Sequence, residues 1–274
     1  FELLDMRGLG AISVLHGPMS DQDAACLHAA GIKPVINSIS QARGWLQVGG
    51  GACDVMVDTG MNRLGLSVSD LSDEAIRSLN VDVLLSHLVS AEEESSLNAL
   101  QLERWQEACR LLPHCRASLA NSAGIALGAD YHGDLTRPGL ALYGGVPCEA
   151  LASSIQQVVR PQAAVIQVRE VGVGDTVGYN ATFTAERSMR LATISLGYAD
   201  GYLRCWSGRG LMSADGAVLP TVGRVSMDMT VVDITHAPDV REGDWLTVSY
   251  HLPDAATASG LSQYELLTLL GARF

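Results

Sequence analysis

Four short stretches in the first half of the chain set polar side chains at the ends of apolar runs: Asp58-Thr59-Gly60-Met61-Asn62-Arg63, His87, Asn121-Ser122 and Thr136-Arg137-Pro138-Gly139. An imidazole that titrates near neutrality and a guanidinium that stays charged are suited to moving protons and holding anions. Taken singly, each has a plainer explanation. A lone His at a strand end is commonly structural, Arg137 could cap a carboxylate, and Glu92-Glu93-Glu94 reads as a solvated helix face. Consecutive strands presenting polar tips to one mouth point instead to a site. In the second half, Val177-Gly178-Tyr179-Asn180, Gly197-Tyr198-Ala199-Asp200-Gly201-Tyr202 and Gly223-Arg224-Val225-Ser226-Met227-Asp228 each join a Gly to a Tyr or a Met-Asp pair. Alone, these read as turn chemistry with aromatic packing.

The elements that must position these residues are legible as apolar runs. Ala11 to His16, Pro34 to Asn37, Asp54 to Asp58, Val81 to His87, Arg116 to Asn121 and Gly139 to Tyr143 are rich in Val, Ile and Leu and continuous instead of alternating, the pattern of strands buried on both faces of a parallel sheet. Between them, helices are predicted over Asp21 to Ala30, Ser40 to Gln47, Asp70 to Leu79 and Ala91 to Leu112, with Asp21 and Ser69 as N-caps and Gly31 as a C-cap. This βα repetition predicts a (β/α)8 TIM-type barrel, in which active sites lie at the carboxyl ends of the strands. Six units fall short of eight, so the expectation is a barrel whose first two units are missing. A doubly wound open sheet is the alternative, but its nearest nucleotide signature, Gly172-Val-Gly174-Asp-Thr-Val-Gly178, has the wrong third spacing.

From about residue 160 the runs become short and β-branched: Ala163 to Val168, Met189 to Ser195, Val218 to Val225, Thr230 to Ile234 and Trp245 to Tyr250, with an Asp215-Gly216 turn. They predict a mainly antiparallel β domain closed by one helix, Ser262 to Leu270. The boundary falls in the stretch Val146 to Arg160, dividing the chain into 1–152 and 153–274.

Composition narrows the function. The 274 residues carry a formal charge of −12 and no Lys/Arg-rich segment, which argues against nucleic acid as a partner. No apolar run nears the ~20 residues of a membrane span. Six scattered cysteines without a C-x-x-C pair predict reduced, mostly buried thiols in a cytoplasmic protein. Phe1-Glu-Leu-Leu-Asp has the character of neither a signal nor a transit peptide. Of the 18 basic residues, Lys33 is the one lysine.

Taken together, VDTGMNRLG (57–65), SHLVSAEE (86–93), LANS (119–122), TRPGLALYG (136–144), GDTVGYNATF (174–183), ISLGYADGY (194–202), VGRVSMDMTVVDIT (222–235) and QYELLTLLGARF (263–274) closely resemble alanine racemases. These are enzymes that use pyridoxal phosphate and pair a barrel with a β domain. The resemblance implies racemisation of L- to D-alanine by two bases on opposite faces of the substrate, a tyrosine and the cofactor lysine, supplying peptidoglycan synthesis. It implies that Tyr179 is the tyrosine base, helped by His87 and Arg137, since a phenol near pKa 10 cannot act unaided at neutral pH. Arg137 would also face the cofactor's pyridine nitrogen. Arg63 would meet the cofactor's phenolic oxygen and the substrate carboxylate. Ser122, Gly139 and Leu140 would bind the phosphate, Met227 would offer a backbone donor to the substrate, and Tyr198 would guard its entrance. The family's head-to-tail homodimer brings Tyr179, Tyr198 and Met227 from the other subunit.

Three positions depart from the family. Its cofactor lysine lies in a Lys-x-Asn-x-Tyr-Gly segment that these residues do not contain. Lys33 precedes a strand instead of ending one, and is expected to be a solvated surface lysine. Met56 stands where many members carry a lysine, often carbamylated, that steadies the arginine matching Arg63. A tyrosine beyond the match to Phe274 usually reaches the phosphate in the family. Without the lysine, residues 1–274 are expected to be inactive. A non-catalytic cofactor-binding module and a racemase of another amino acid are the competing readings.

Overall fold

Predominantly apolar runs become strands of a parallel sheet where both faces can be covered. In the computed structural model, which describes residues 10 to 271, five such runs pair in parallel and in chain order. They are β1 (Ser13–Val14), β2 (Lys33–Ile36), β3 (Ala52–Met56), β4 (Asn80–Leu85) and β5 (Arg116–Ser118). Phe1 to Asp5 and Ala272 to Phe274, named above, lie outside the described residues. Helices α1 (Asp21–Ala30), α2 (Ile39–Gln47), α3 (Glu74–Arg77) and α4 (Ser96–Leu111) return the chain between successive strands. On one face Ile36, Val55 and Leu84 pack with Trp45, Ile76 and Ala108 of the helices. A separate cluster of Val35, Met56, Val83 and Leu85 fills the other. Each such side chain contributes about 1.5–3 kcal/mol on full burial, so both layers hold the strands in register.

The sixth predicted strand is not one. Leu140–Tyr143 forms a 3-10 turn, because an apolar run of Leu, Ala, Leu and Tyr is equally suited to a helical turn and Gly145 N–H closes it on the Leu140 carbonyl at 3.1 Å. Two N-caps also move. Ser20, not Asp21, caps α1 by accepting from Asp23 N–H, while Ser67 and Asp73, not Ser69, cap the 3-10 turn Val68–Ser72 and α3. Gly31 ends α1 in the left-handed region, φ 66°, as expected.

The chain packs as two units, Phe1–Gly139 with Pro147–Leu151, and Leu140–Val146 with Ala152–Phe274. The second contains β6 (Gln162–Val171), β7 (Thr176–Val177), β8 (Phe183–Thr184), β9 (Met189–Ile194), β10 (Leu211–Ala214), β11 (Ala217–Val222), β12 (Thr230–Asp233) and β13 (Trp245–Val248). Six of them close an antiparallel barrel in the order β10-β11-β12-β9-β6-β13, and β7 pairs with β8. The Asp215-Gly216 turn joins β10 to β11 with both residues at positive φ, the geometry a two-residue hairpin demands. Val165, Ile194, Met212, Leu246, Trp206 and Tyr250 share the barrel core. Besides the expected terminal helix, here α6 (Gln263–Thr268), a second, α5 (Leu252–Ser259), precedes it. Pro253 in its first turn resembles a break in sequence but is tolerated where helix N–H groups lack partners anyway.

Two further expectations change. Lys33 is not a solvated lysine: its Nζ pairs with Asp54 at 3.1 Å and Asp82 at 2.5 Å, and only 15% of its side chain is exposed. Burial alone would lower its pKa, but the two carboxylates outweigh it and raise it. Its placement at the amino end of β2 is as expected. The cysteines are all free, yet only Cys53 is fully buried, and Cys26 and Cys115 are exposed. Among the described residues no helix is long and apolar enough to cross a membrane.

Candidate active site

At the carboxyl ends of β3 and β4 the backbone is shaped by polar anchors. Asp58 accepts from Gly60 N–H at 2.8 Å and Arg63 N–H at 3.0 Å, curling the Asp58–Arg63 loop around its carboxylate. Burial would raise this carboxyl's pKa; the backbone donors overcome it and hold it below the ordinary value. Gly65 lets the loop return, since a Cβ there would lie 2.8 Å from Asp58 N and 2.9 Å from Met56 Cγ. Leu66 N–H then bonds the Met56 carbonyl at 2.9 Å. Arg63 is exposed at this loop's end, and Met56 is buried beneath it.

Arg137 reaches the same region from the segment after β5, where its N–H bonds the Ala120 carbonyl at 2.9 Å. Its guanidinium donates to the Ser118 carbonyl at 2.8 Å, the Ser118 hydroxyl at 2.5 Å, the Leu119 carbonyl at 3.3 Å and the Ser86 carbonyl. Among the described residues no carboxylate pairs with it. Burial brings its pKa down to about 10, which still leaves it cationic at neutral pH. His87 is half-buried beside it. Burial first, then the charges of Arg137 and Arg63, push the imidazole pKa below its ordinary value, so it is neutral at pH 7. Leu15, Met56, Asp58, Arg63, His87 and Arg137 line one cleft of about 260 Å³. Two cations and a neutral imidazole around a partly apolar cleft suit an anionic, flat ligand.

Ser122 and Gly139 meet directly, Gly139 N–H donating to the Ser122 hydroxyl at 2.9 Å. Leu140 is buried and opens the 3-10 turn of the second unit. In that unit the three Gly-containing segments converge. Tyr198 N–H and Ala199 N–H bond the Ser226 and Met227 carbonyls at 3.0 and 2.9 Å. A Cβ on Gly197 would strike the Met227 carbonyl oxygen at 2.3 Å, and one on Gly223 would approach the Val177 carbonyl oxygen at 2.9 Å. Tyr179 and Met227 are exposed by 64% and 54%, while Arg204 lies over the Tyr198 ring at 5.2 Å. The structure thus gathers Arg63, His87 and Arg137 in the first unit and Tyr198 with Met227 in the second.

Helix α4 adds groups that the motifs did not single out. Gln101, 1% exposed, donates to the Thr59 hydroxyl at 3.1 Å and the His87 carbonyl at 3.0 Å, and accepts from Val89 N–H at 2.8 Å. Arg104 donates to the Thr59 carbonyl at 3.0 Å. The signal was present: the inward stripe of α4 is Asn98, Gln101, Trp105 and Ala108, and two amides on a buried helix face require partners.

A parallel βα sheet with a cation-lined cleft at its strand ends makes up one unit of the chain, and an antiparallel β barrel the other. Residues 2–147 match the family model "Alanine racemase, N-terminal domain" and 158–274 match "Alanine racemase, C-terminal domain". The biosynthetic alanine racemase of Agrobacterium fabrum is 40% identical over 267 residues, covering 88% of this chain and 68% of that protein. An alanine racemase of Acidiphilium cryptum is 36% identical over 289 residues, covering 100% and 81%. The crystal structure of the Bartonella henselae alanine racemase, with covalently bound pyridoxal phosphate, superposes with a TM-score of 0.86 at 34% identity, covering 100% of this chain and 81% of that one. The chain belongs to the alanine racemase family.

Proposed function

We propose that this protein interconverts L- and D-alanine with pyridoxal phosphate, as a cytoplasmic homodimer supplying D-alanine for peptidoglycan. The observation that carries the reading is Arg137, a cation held by neutral oxygens alone and facing one cleft with His87 and Arg63. The donor set fits the cofactor: Arg137 for its pyridine nitrogen, Arg63 for its phenolic oxygen, and Ser122, Gly139 and Leu140 for its phosphate. When bound, pyridoxal phosphate supplies an electron sink that acidifies the Cα–H of an amino acid.

The chain's own residues do the rest. Arg137 presents a permanent cation to the atom it faces and disfavours protonation there, which restrains side reactions. His87, neutral at pH 7, accepts the hydrogen bond of a phenol and favours loss of its proton. Tyr179 of the partner subunit is the phenol that takes the proton from L-alanine. Tyr198 and Met227, from the same partner, close the entrance and orient the substrate carboxylate that Arg63 pairs with. The barrel part, residues 1–152, thereby holds the cofactor, and the part from 153 to 274 completes its neighbour's site.

The second base is a lysine, and Lys33, locked between two carboxylates, does not serve. Residues 1–274 alone therefore bind the cofactor without a covalent link and do not racemise. Racemase turnover by residues 1–274, or borohydride-trapped cofactor on Lys33, would overturn that part. The natural protein saturated with pyridoxal phosphate should convert L- to D-alanine faster than it converts serine or basic amino acids, as read by chiral chromatography. Preference for another amino acid would replace the substrate, and no turnover with cofactor bound would favour a non-catalytic binder.

A further inference from the structure

Gln101 sits on α4, outside every strand-end motif and 42 residues from Thr59, yet its carboxamide bonds to two of those segments. Oε1 accepts from Val89 N–H at 2.8 Å and Nε2 donates to the His87 carbonyl at 3.0 Å. A carbonyl at one residue and an N–H two residues later are the groups a neighbouring strand would engage, so the amide stands in for a missing strand partner at His87 to Val89. The second Nε2 hydrogen goes to the Thr59 hydroxyl at 3.1 Å, which meets the Ser86 hydroxyl at 2.8 Å. The Ser86 carbonyl in turn receives Arg137, and Ser86 N–H bonds the Ser118 carbonyl at 3.1 Å. One buried side chain therefore ties the backbone around His87, the Asp58–Arg63 loop and the carbonyls that hold Arg137.

We propose that Gln101 is a positioning residue for His87, fixing where the imidazole meets Arg137 and Arg63. The proposal rests on the reading of His87 as the helper of the reacting phenol. Its structural content is independent of turnover. Leu or Met would fill the same volume, and nothing about packing requires an amide with three bonds to two loops. Losing them leaves the Val89 N–H and His87 carbonyl to find water, and the segment relaxes outward.

The test is the titration of His87 by NMR of its ring protons in the cofactor-free chain, assigned with His87→Asn. Arg137 and Arg63 are the charged groups acting on this ring, and Asp58 lines the same cleft. In Gln101→Met, and in Gln101→Asn, which is one methylene too short, the His87 midpoint should rise by about half a pH unit or more toward the ordinary histidine value. The other histidines should not move. Ala108→Gly destabilises the same helix without touching the amide and should leave the His87 midpoint unchanged. An unshifted midpoint in both Gln101 variants, or an equal shift in Ala108→Gly, overturns the proposal. So does fast exchange of the Val89 amide in the unaltered chain, a result available even if the variants fail to fold. Because no cofactor enters the measurement, failure here leaves the racemase reading intact, and failure of racemase turnover leaves this result standing.

Discussion

His87 shows how a single residue couples the cleft to stability. Its folded pKa lies below the ordinary value, through burial and the two arginines. The unfolded chain therefore binds the proton first as pH falls. The stabilising contribution is present above about pH 6.5 and is lost progressively below it, until the folded form also protonates. His87→Asn should flatten the stability profile between pH 7 and 5 relative to the unaltered chain, measured by urea unfolding at both pH values. An unchanged slope would mean His87 is not desolvated. Lys33 gives a larger effect by another route. Asp54 is 3% exposed and also accepts from Val83 N–H at 3.1 Å, so removing the ammonium leaves a buried carboxylate short of its charge partner. Lys33→Met should cost about 3–5 kcal/mol, read from the urea midpoint at pH 7. A loss below about 1 kcal/mol would restore the description of a solvated lysine. His87, Arg63 and Arg137 were legible as polar tips after apolar runs. The pairing of Lys33 was not, because its carboxylates lie 21 and 49 residues away.

Among the elements, the loop after β3 depends on close backbone approach more than on any side-chain contact. Gly65, φ 126°, brings Leu66 back against Met56, and any Cβ would meet backbone atoms that cannot give. Gly65→Ala should lower stability by about 2–3 kcal/mol and loosen the Asp58 anchor, read as a lower melting temperature and faster exchange at the Gly60 and Arg63 amides. Retained protection at those amides would show that the loop absorbs the methyl. Helix ends are partly readable: Gly31 caps α1 as its position suggests, whereas Ser20 and Ser67, not Asp21 and Ser69, take the caps because their hydroxyls face the N–H groups three residues on. Leu140–Tyr143 forms a 3-10 turn and not a strand, because four apolar residues in a row carry no period that separates the two.

For the assembled protein, the proposed sharing of sites between two subunits predicts complementation. Tyr179→Phe and Arg137→Met should each abolish turnover in a preparation that binds pyridoxal phosphate covalently. Mixed and allowed to exchange subunits, they should recover about a quarter of the unaltered activity, since half the dimers are mixed and each has one intact site. Recovery of none would place Tyr179 and Arg137 of a single subunit at one site. The exposure of Tyr179 and Met227, two residues with large apolar surface, is consistent with a partner covering them.

Apolar periodicity and turn residues sufficed to assign a βα barrel followed by an antiparallel β domain, because strand burial and hairpin chemistry are local properties of the chain. The motif residues sufficed to assign the family and the groups at the cleft. Only tertiary packing decided which groups those residues lean on: Arg137 on carbonyls from three residues, Lys33 on Asp54 and Asp82, His87 on an amide of α4. Such partners are chosen by distance in space. Neither hydrophobic period nor motif spacing records which distant polar group fills a buried hydrogen bond, although most buried polar groups find a partner.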